Sequence, residues 1–149
     1  MKVVVDADAC PVRAQIVEAA RARGVRVIMV YDNTHRIDDG YSECVVVDKG
    51  ADSADLALAN LLSRGDVAVT GDFGAATLAL ARGAYAISFS GMCYDDGNID
   101  KLLFERFLGK KVRRGGGRTK GPRKREAAQD AAFIRAFGAL LDERVKENR

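Results

Sequence analysis

Val3-Val4-Val5-Asp6-Ala7-Asp8-Ala9-Cys10-Pro11-Val12 is the stretch that sets the fold class. Three consecutive valines make a run that is apolar on both faces, which suits a strand covered on both sides rather than one half-exposed to water. The run stops on a carboxylate, a second carboxylate follows two residues later, and Pro11 has the fixed φ that suits a helix's first turn. Beyond it, Val12, Ile16 and Ala19/Ala20 recur at helical spacing. A buried strand, an acidic turn and an amphipathic helix form the opening unit of an α/β protein.

The same unit recurs downstream. Val25–Tyr31, Cys44–Val47, Val67–Thr70 and Ala84–Phe89 read as further apolar strands, with helical stretches at about 11–23, 53–64 and 74–82 between them. Arg23-Gly24-Val25, Arg64-Gly65-Asp66 and Arg82-Gly83-Ala84 each place a basic residue in a helix's last turn, a glycine at its cap and a strand next. Alternation with such short links predicts a three-layer, doubly wound α/β fold with a five-stranded, mostly parallel sheet and helices on both faces. At 149 residues the chain is expected to be a single domain over 1–149. That length buries roughly 68–70% of the unfolded surface, enough to fold without staples.

Composition narrows the function. With 48% hydrophobic and 30% charged residues the chain is globular rather than disordered. Cys10, Cys44 and Cys93 are too few and too scattered for a disulfide framework, no C-x-x-C is present, and His35 is the one histidine. A Cys₄ zinc site and a thioredoxin-type motif therefore fail, His-rich metal sites cannot be built, and a reducing, cytoplasmic setting is expected. Asp6 interrupts the first apolar run, so no signal peptide is expected there, and no run reaches the length of a membrane span.

The net charge of +3 conceals a division. Residues 1–105 hold 10 Lys/Arg against 16 Asp/Glu, whereas residues 106–149 hold 14 against 5. After an amphipathic stripe of Ile99, Leu102, Leu103 and Phe107 comes a stretch, 109–125, expected to be a basic, flexible loop. It carries Lys110, Lys111, Arg113, Arg114, Arg118, Lys120, Arg123, Lys124 and Arg125 without an acid, interrupted by Gly115-Gly116-Gly117. A C-terminal amphipathic helix is expected over 126–146, because Phe133, Ala136, Phe137, Leu140, Leu141 and Val145 share one face. That face has to dock on the body or on a second subunit, which makes a homodimer through this helix one expectation.

The acids are not scattered either. In an open parallel sheet, ligands bind beyond the carboxyl ends of the strands. Asp6 and Asp8 follow the first strand, Asp48 the third, Asp52 and Asp55 open the next helix, Asp72 follows the fourth strand, and Asp95 and Asp96 follow the fifth. Asp72, and Asp52 or Ser53, also suit helix N-caps. Carboxylates crowded on one rim repel unless a cation neutralises them, and hard oxygen donors without imidazole or thiolate favour Mg²⁺ or Mn²⁺.

At these residues the chain resembles a known family. Val5-Asp6-Ala7-Asp8-Ala9-Cys10-Pro11-Val12, Lys49-Gly50-Ala51-Asp52-Ser53-Ala54-Asp55, Val69-Thr70-Gly71-Asp72 and the segment from Tyr94 to Asn98-Ile99 look like the YaiI/YqxD family of uncharacterised bacterial proteins. The likeness spans essentially the whole chain. It implies a PIN-like domain, related to metal-dependent ribonucleases. By that likeness Asp6, Asp52 and Asp72 match the catalytic, metal-holding carboxylates, with Asp8 and Asp55 as additional acids. The pattern is departed from at Phe73-Gly74-Ala75, where Ile-Pro-Leu is expected, at Ser90-Gly91, where Arg-Gly is expected, and at Lys120-Gly121-Pro122, where Gly-Gly-Pro is expected.

The expected function is divalent-metal-dependent phosphodiester hydrolysis, with RNA as substrate. Asp6, Asp8, Asp52, Asp55 and Asp72 would be the metal ligands, and Thr70 would hydrogen-bond one of them. The nine basic residues of 110–125 would hold the phosphate backbone, with little base readout because that run has no aromatic residue. Two alternatives stand beside it. Asp6-Ala7-Asp8 imitates the D-x-D of haloacid-dehalogenase-like phosphatases, with Asp6 as nucleophile and Asp8 as acid/base, although the usual Thr is replaced by Cys10. The other is a non-catalytic RNA-binding protein whose acids are structural. Cys10 itself reads as a small buried filler and His35 as part of a surface loop.

Overall fold

Strands that are apolar on both faces need a cover on each side, and the chain supplies it by winding in two directions from its first strand. The structure, a computed structural model, describes residues 1–32, 38–48, 53–114 and 124–147, with the backbone alone at 53 and 110–114. Its elements in chain order are β1 (Lys2–Asp6), α1 (Arg13–Ala22), β2 (Arg26–Asp32), β3 (Glu43–Val47), α2 (Ser53–Leu61), β4 (Val67–Val69), α3 (Phe73–Ala81), β5 (Tyr85–Ile87), β6 (Cys93–Tyr94), α4 (Asp96–Arg114) and α5 (Ala127–Glu147). The sheet runs β3-β2-β1-β4-β5-β6. β1 to β5 are parallel, with Val4 of β1 in register with Ile28 on one side and Ala68 on the other. The chain first builds outward to β3 and then returns to build from β4, so the winding reverses between β1 and β4.

Alternation along β1 divides the core. Val3 and Val5 enter a layer with Ile16 and Ala20 of α1 and with Phe133, Phe137, Leu140 and Leu141 of α5. Val4 faces the other way and packs with Leu58 of α2, Ala76 and Ala79 of α3, and Ile99 of α4. The glycines of the three Arg-Gly links take the left-handed conformation expected of them, with φ of 66° at Gly24, 86° at Gly65 and 77° at Gly83. The arginines, however, lie past the last turns: Arg23 and Arg82 are the C-caps, and Arg64 follows the end of α2 at Leu61 by three residues.

Three expectations change. The sheet has six strands rather than five, because Cys93–Tyr94 pairs antiparallel with β5. α1 starts at Arg13, so Pro11 lies in the turn before the helix rather than inside it. The stretch 109–125 is not a loop throughout: α4 continues past Gly109 to Arg114. A single helical glycine costs only about 1 kcal/mol against alanine, and lysine and arginine suit a last turn. Of the two docking places expected for the apolar face of α5, the body of the chain is one that it uses, with Phe133, Phe137 and Leu141 fully buried.

Candidate functional site

The point where the winding reverses is where an open α/β sheet leaves a crevice beyond its strand ends. Asp6 is the last residue of β1, and Thr70-Gly71-Asp72 leads from β4 into α3. Thr70 joins the two. Its side chain is fully buried; the hydroxyl donates to Oδ2 of Asp6 at 3.0 Å and accepts the backbone N–H of Asp72 at 3.1 Å. The turn is fastened from behind, where the Tyr94 hydroxyl donates to the Thr70 carbonyl at 3.2 Å. The short β6 thus has a use: it carries the residue that pins the acidic turn.

Asp72 caps α3. It has extended backbone at φ −101° and ψ 125°, and its carboxylate accepts the N–H of Ala75 at 3.3 Å. The same carboxylate meets that of Asp55, from the first turn of α2, in a side-chain hydrogen bond. A Cβ added to Gly74 would lie 3.3 Å from an Asp72 oxygen and 3.6 Å from an Asp55 oxygen. Two carboxylates in such contact must share a proton or a cation. Arg106 of α4 brings a guanidinium nitrogen to 4.0 Å from Oδ1 of Asp72.

The two acids titrate in opposite directions. Burial pushes the Asp6 carboxyl up, and the negative charges of Asp72 and Asp8 add to that, outweighing the Thr70 hydrogen bond that pulls it down. Burial also raises Asp72, but the hydrogen bonds from Asp55, Ala75 and Gly74 and the charge of Arg106 prevail and hold it low.

Other expected residues are placed differently. Asp8 is exposed and accepts the N–H of Asp32 at 2.9 Å. Asp48 is exposed beyond β3, two strands from β1. Asp95 is engaged with Asn98 at the start of α4: each side chain accepts the other's backbone N–H, at 2.7 and 2.8 Å. Asp96 is exposed in that helix's first turn. Asp52, Arg118, Lys120, Arg123 and His35 lie outside the described residues. Among the described residues no three His, Cys, Asp or Glu side chains form a metal-holding group. What they do bring together is oxygen only, Asp6 with Thr70 and Asp55 with Asp72, a donor set suited to Mg²⁺ or Mn²⁺ and unsuited to a soft metal.

Among the basic residues, Lys110, Lys111, Arg113 and Arg114 belong to the last turns of α4, and Lys124 is exposed. Arg125 is not free for phosphate. Its guanidinium pairs with Asp130 at 2.6 Å and donates to the Phe89 carbonyl at 2.6 Å, tying the start of α5 to the sheet. Cys10 is buried, and burial pushes its thiol up to about 11, as a filler rather than a nucleophile requires.

Arg106 carries no expectation in the sequence, and Tyr94 and Asn98 stand there only as part of a family-like segment, without a role. The reciprocal Asp95/Asn98 cap leaves a visible D-x-x-N signal, and Arg106 lies seven residues beyond the buried Ile99, on the same helix face. Tyr94 is marked by the family-like segment, but its bond to Thr70 is not, because that depends on how β6 folds back.

Residues 4–143 match the family described as uncharacterised BCR, YaiI/YqxD family. The chain belongs to this YaiI/YqxD family. Members include the UPF0178 protein of Ruminiclostridium cellulolyticum, 49% identical over 137 residues that cover 92% of this chain and 90% of the relative. The UPF0178 protein of Clostridium novyi is 50% identical over 141 residues, covering 95% and 93%. Among solved structures, Rae1 (YacP) from Bacillus subtilis aligns over 100% of both chains with a TM-score of 0.44 and 16% identity.

No helix among the described residues is long and apolar enough to cross a membrane.

Proposed function

We propose that this YaiI/YqxD protein is a divalent-metal-dependent phosphodiesterase of the PIN-like type acting on RNA. The observation that carries the reading is the joining of Asp6 and Asp72 through buried Thr70 at the reversal of the sheet, with Asp55 in contact with Asp72. The contact of Asp55 with Asp72 is costly without a shared proton or a counter-charge. Asp6, Asp55 and Asp72 would hold Mg²⁺ or Mn²⁺, with Asp8 and with Asp52 of the K-G-A-D sequence as further ligands. A bound ion of this class lowers the pKa of its water and neutralises charge on a phosphate. Thr70 fixes the Asp6 carboxylate in one orientation, and the Asp72 N–H keeps the Thr70 hydroxyl pointed at it. The basic residues from 110 to 124 would hold the phosphate backbone away from the acidic rim.

The test is Mn²⁺ titration by calorimetry on the wild type and on Asp6→Asn/Asp72→Asn, paired with cleavage of a labelled single-stranded RNA. The reading expects metal binding and cleavage in the wild type and loss of both in the variant. Absence of binding at millimolar metal overturns it. RNA binding without metal binding or cleavage would favour a non-catalytic RNA-binding protein, and a trapped phosphoryl group on Asp6 would favour the dehalogenase-like alternative.

A further inference from the structure

α4 has two unlike faces. Ile99 is buried and Leu102 half-buried in the layer shared with α3, and Arg106 lies on that same side, within reach of Asp72. The opposite side carries Leu103, Phe104, Phe107 and Leu108, which are 39%, 60%, 59% and 43% exposed. Other exposed large apolar residues, such as Val46, Leu56 and Ile134, stand singly on separate elements. Four adjoining ones on the water face of one helix form a patch of the kind that marks an interaction surface.

The sequence around the patch specifies what fits it. Asp100 and Lys111 extend the series to positions 100, 103, 104, 107, 108 and 111, which fall on one stripe of a helix. The series is symmetric about the point between residues 105 and 106. Asp100 mirrors Lys111, Leu103 mirrors Leu108, and Phe104 mirrors Phe107. A two-fold pairing requires a surface that complements itself in this manner, with residue i meeting residue j and j meeting i. Two copies of α4 laid antiparallel set each Asp100 opposite the second copy's Lys111, at both ends of an apolar centre. The rest of the helix agrees: acids Asp96 and Asp100 lie in its first half, and Lys110, Lys111, Arg113 and Arg114 in its last turns. Parallel pairing would set like charge against like. A lipid surface or an RNA strand would want the cations along the whole flank, and Asp96, Asp100 and Glu105 oppose either.

We propose that the outward face of α4 is a homodimer seam that takes the same face of a second copy of this chain, antiparallel, about a two-fold axis near residues 105 and 106. The seam is separate from the carboxylate site, since Arg106 and Asp72 lie across the helix from it, and the inference does not depend on the proposed activity, although it gives Lys111 of the basic run a carboxylate partner in place of phosphate.

Sedimentation equilibrium of the full chain tests it. The wild type is expected at twice 16.1 kDa, and Phe104→Glu/Phe107→Glu at 16.1 kDa with unchanged circular dichroism. Asp100→Lys and Lys111→Asp should each weaken the dimer about tenfold or more by setting like charges together. The combined D100K/K111D chain should recover it. A wild type that stays monomeric up to millimolar concentration overturns the proposal, as does a dimer indifferent to the phenylalanine substitutions. A D100K/K111D chain no tighter than its single variants overturns the antiparallel register. A monomeric wild type that binds anionic vesicles or single-stranded RNA through Phe104 and Phe107 assigns the face to that occupant instead.

Discussion

Thr70 makes the link between strand β1 and the acidic turn, and its hydroxyl works in both directions: it donates to Asp6 and accepts from the Asp72 N–H. Thr70→Val keeps the shape and removes both bonds. It should cost about 1–3 kcal/mol in urea unfolding, the usual penalty for leaving buried polar groups unpaired. It should also move the Asp6 carboxyl further upward, since the lost bond was the influence holding it down; a ¹³C carboxyl titration by NMR reads this directly. Cys10 gives a second expectation. Its folded-state thiol is pushed up to about 11 from an ordinary 9.0, so the folded chain holds the proton more tightly than the unfolded one. The stability this contributes is complete below pH 9 and is lost as pH climbs from 9 through 11. Tyr94, pushed up to about 12 by burial, acts in the same sense. Denaturant midpoints across that range should fall, and less steeply in Cys10→Ala. At this scale Asp6, Thr70 and Asp72 were legible because each ends or follows a strand, a local matter. The contacts of Asp55 and Arg106 with Asp72 were not, because they depend on how α2, α3 and α4 pack.

Elements were legible where a local signal marks both ends. The Arg-Gly links closed α1 and introduced β4 and β5 at the expected places. β6 was missed because two residues carry no periodicity and become a strand only by pairing with β5. The basic run hid the end of α4, since composition alone does not separate a charged helix from a charged loop. The docking of α5 rests on a residue that sequence marks only as a loop glycine. Gly91 has φ 93°, and an added Cβ would lie 2.8 Å from the Ala132 carbonyl oxygen and 3.2 Å from the Ala136 Cβ. Gly91→Ala therefore combines backbone strain with a clash against α5, and should destabilise by about 2 kcal/mol or more. Gly24→Ala, at φ 66° with nothing within 4 Å of the added atom, should cost only about 1 kcal/mol. Side-by-side urea unfolding of the two variants separates strain from clash. Equal losses would mean that α5 yields at Ala132.

Across the whole molecule, the opposed charges of body and C-terminal portion need not serve one ligand, and the structure already removes one cation from the count. Arg125 is occupied by Asp130 and the Phe89 carbonyl. A polyanion held by the remaining basic residues would release about 0.7 counterions per phosphate contact on a single strand, so affinity would fall along a straight line in log salt. Replacing Lys110, Arg113, Arg118 and Lys120 together by alanine should flatten that line by up to about 3 units if each meets a phosphate. Arg125→Ala should leave the slope alone and instead lower the unfolding midpoint, because it removes a tie between α5 and the sheet. Asp6→Asn, which removes negative charge from the rim, should strengthen binding at low salt, an advantage that fades as salt screens the rim. Fluorescence anisotropy of a labelled single-stranded RNA across a salt series distinguishes the three variants. A slope unmoved by the fourfold replacement would show that the positive portion is not a phosphate-binding surface, and the acidic site would then have to hold its substrate without it.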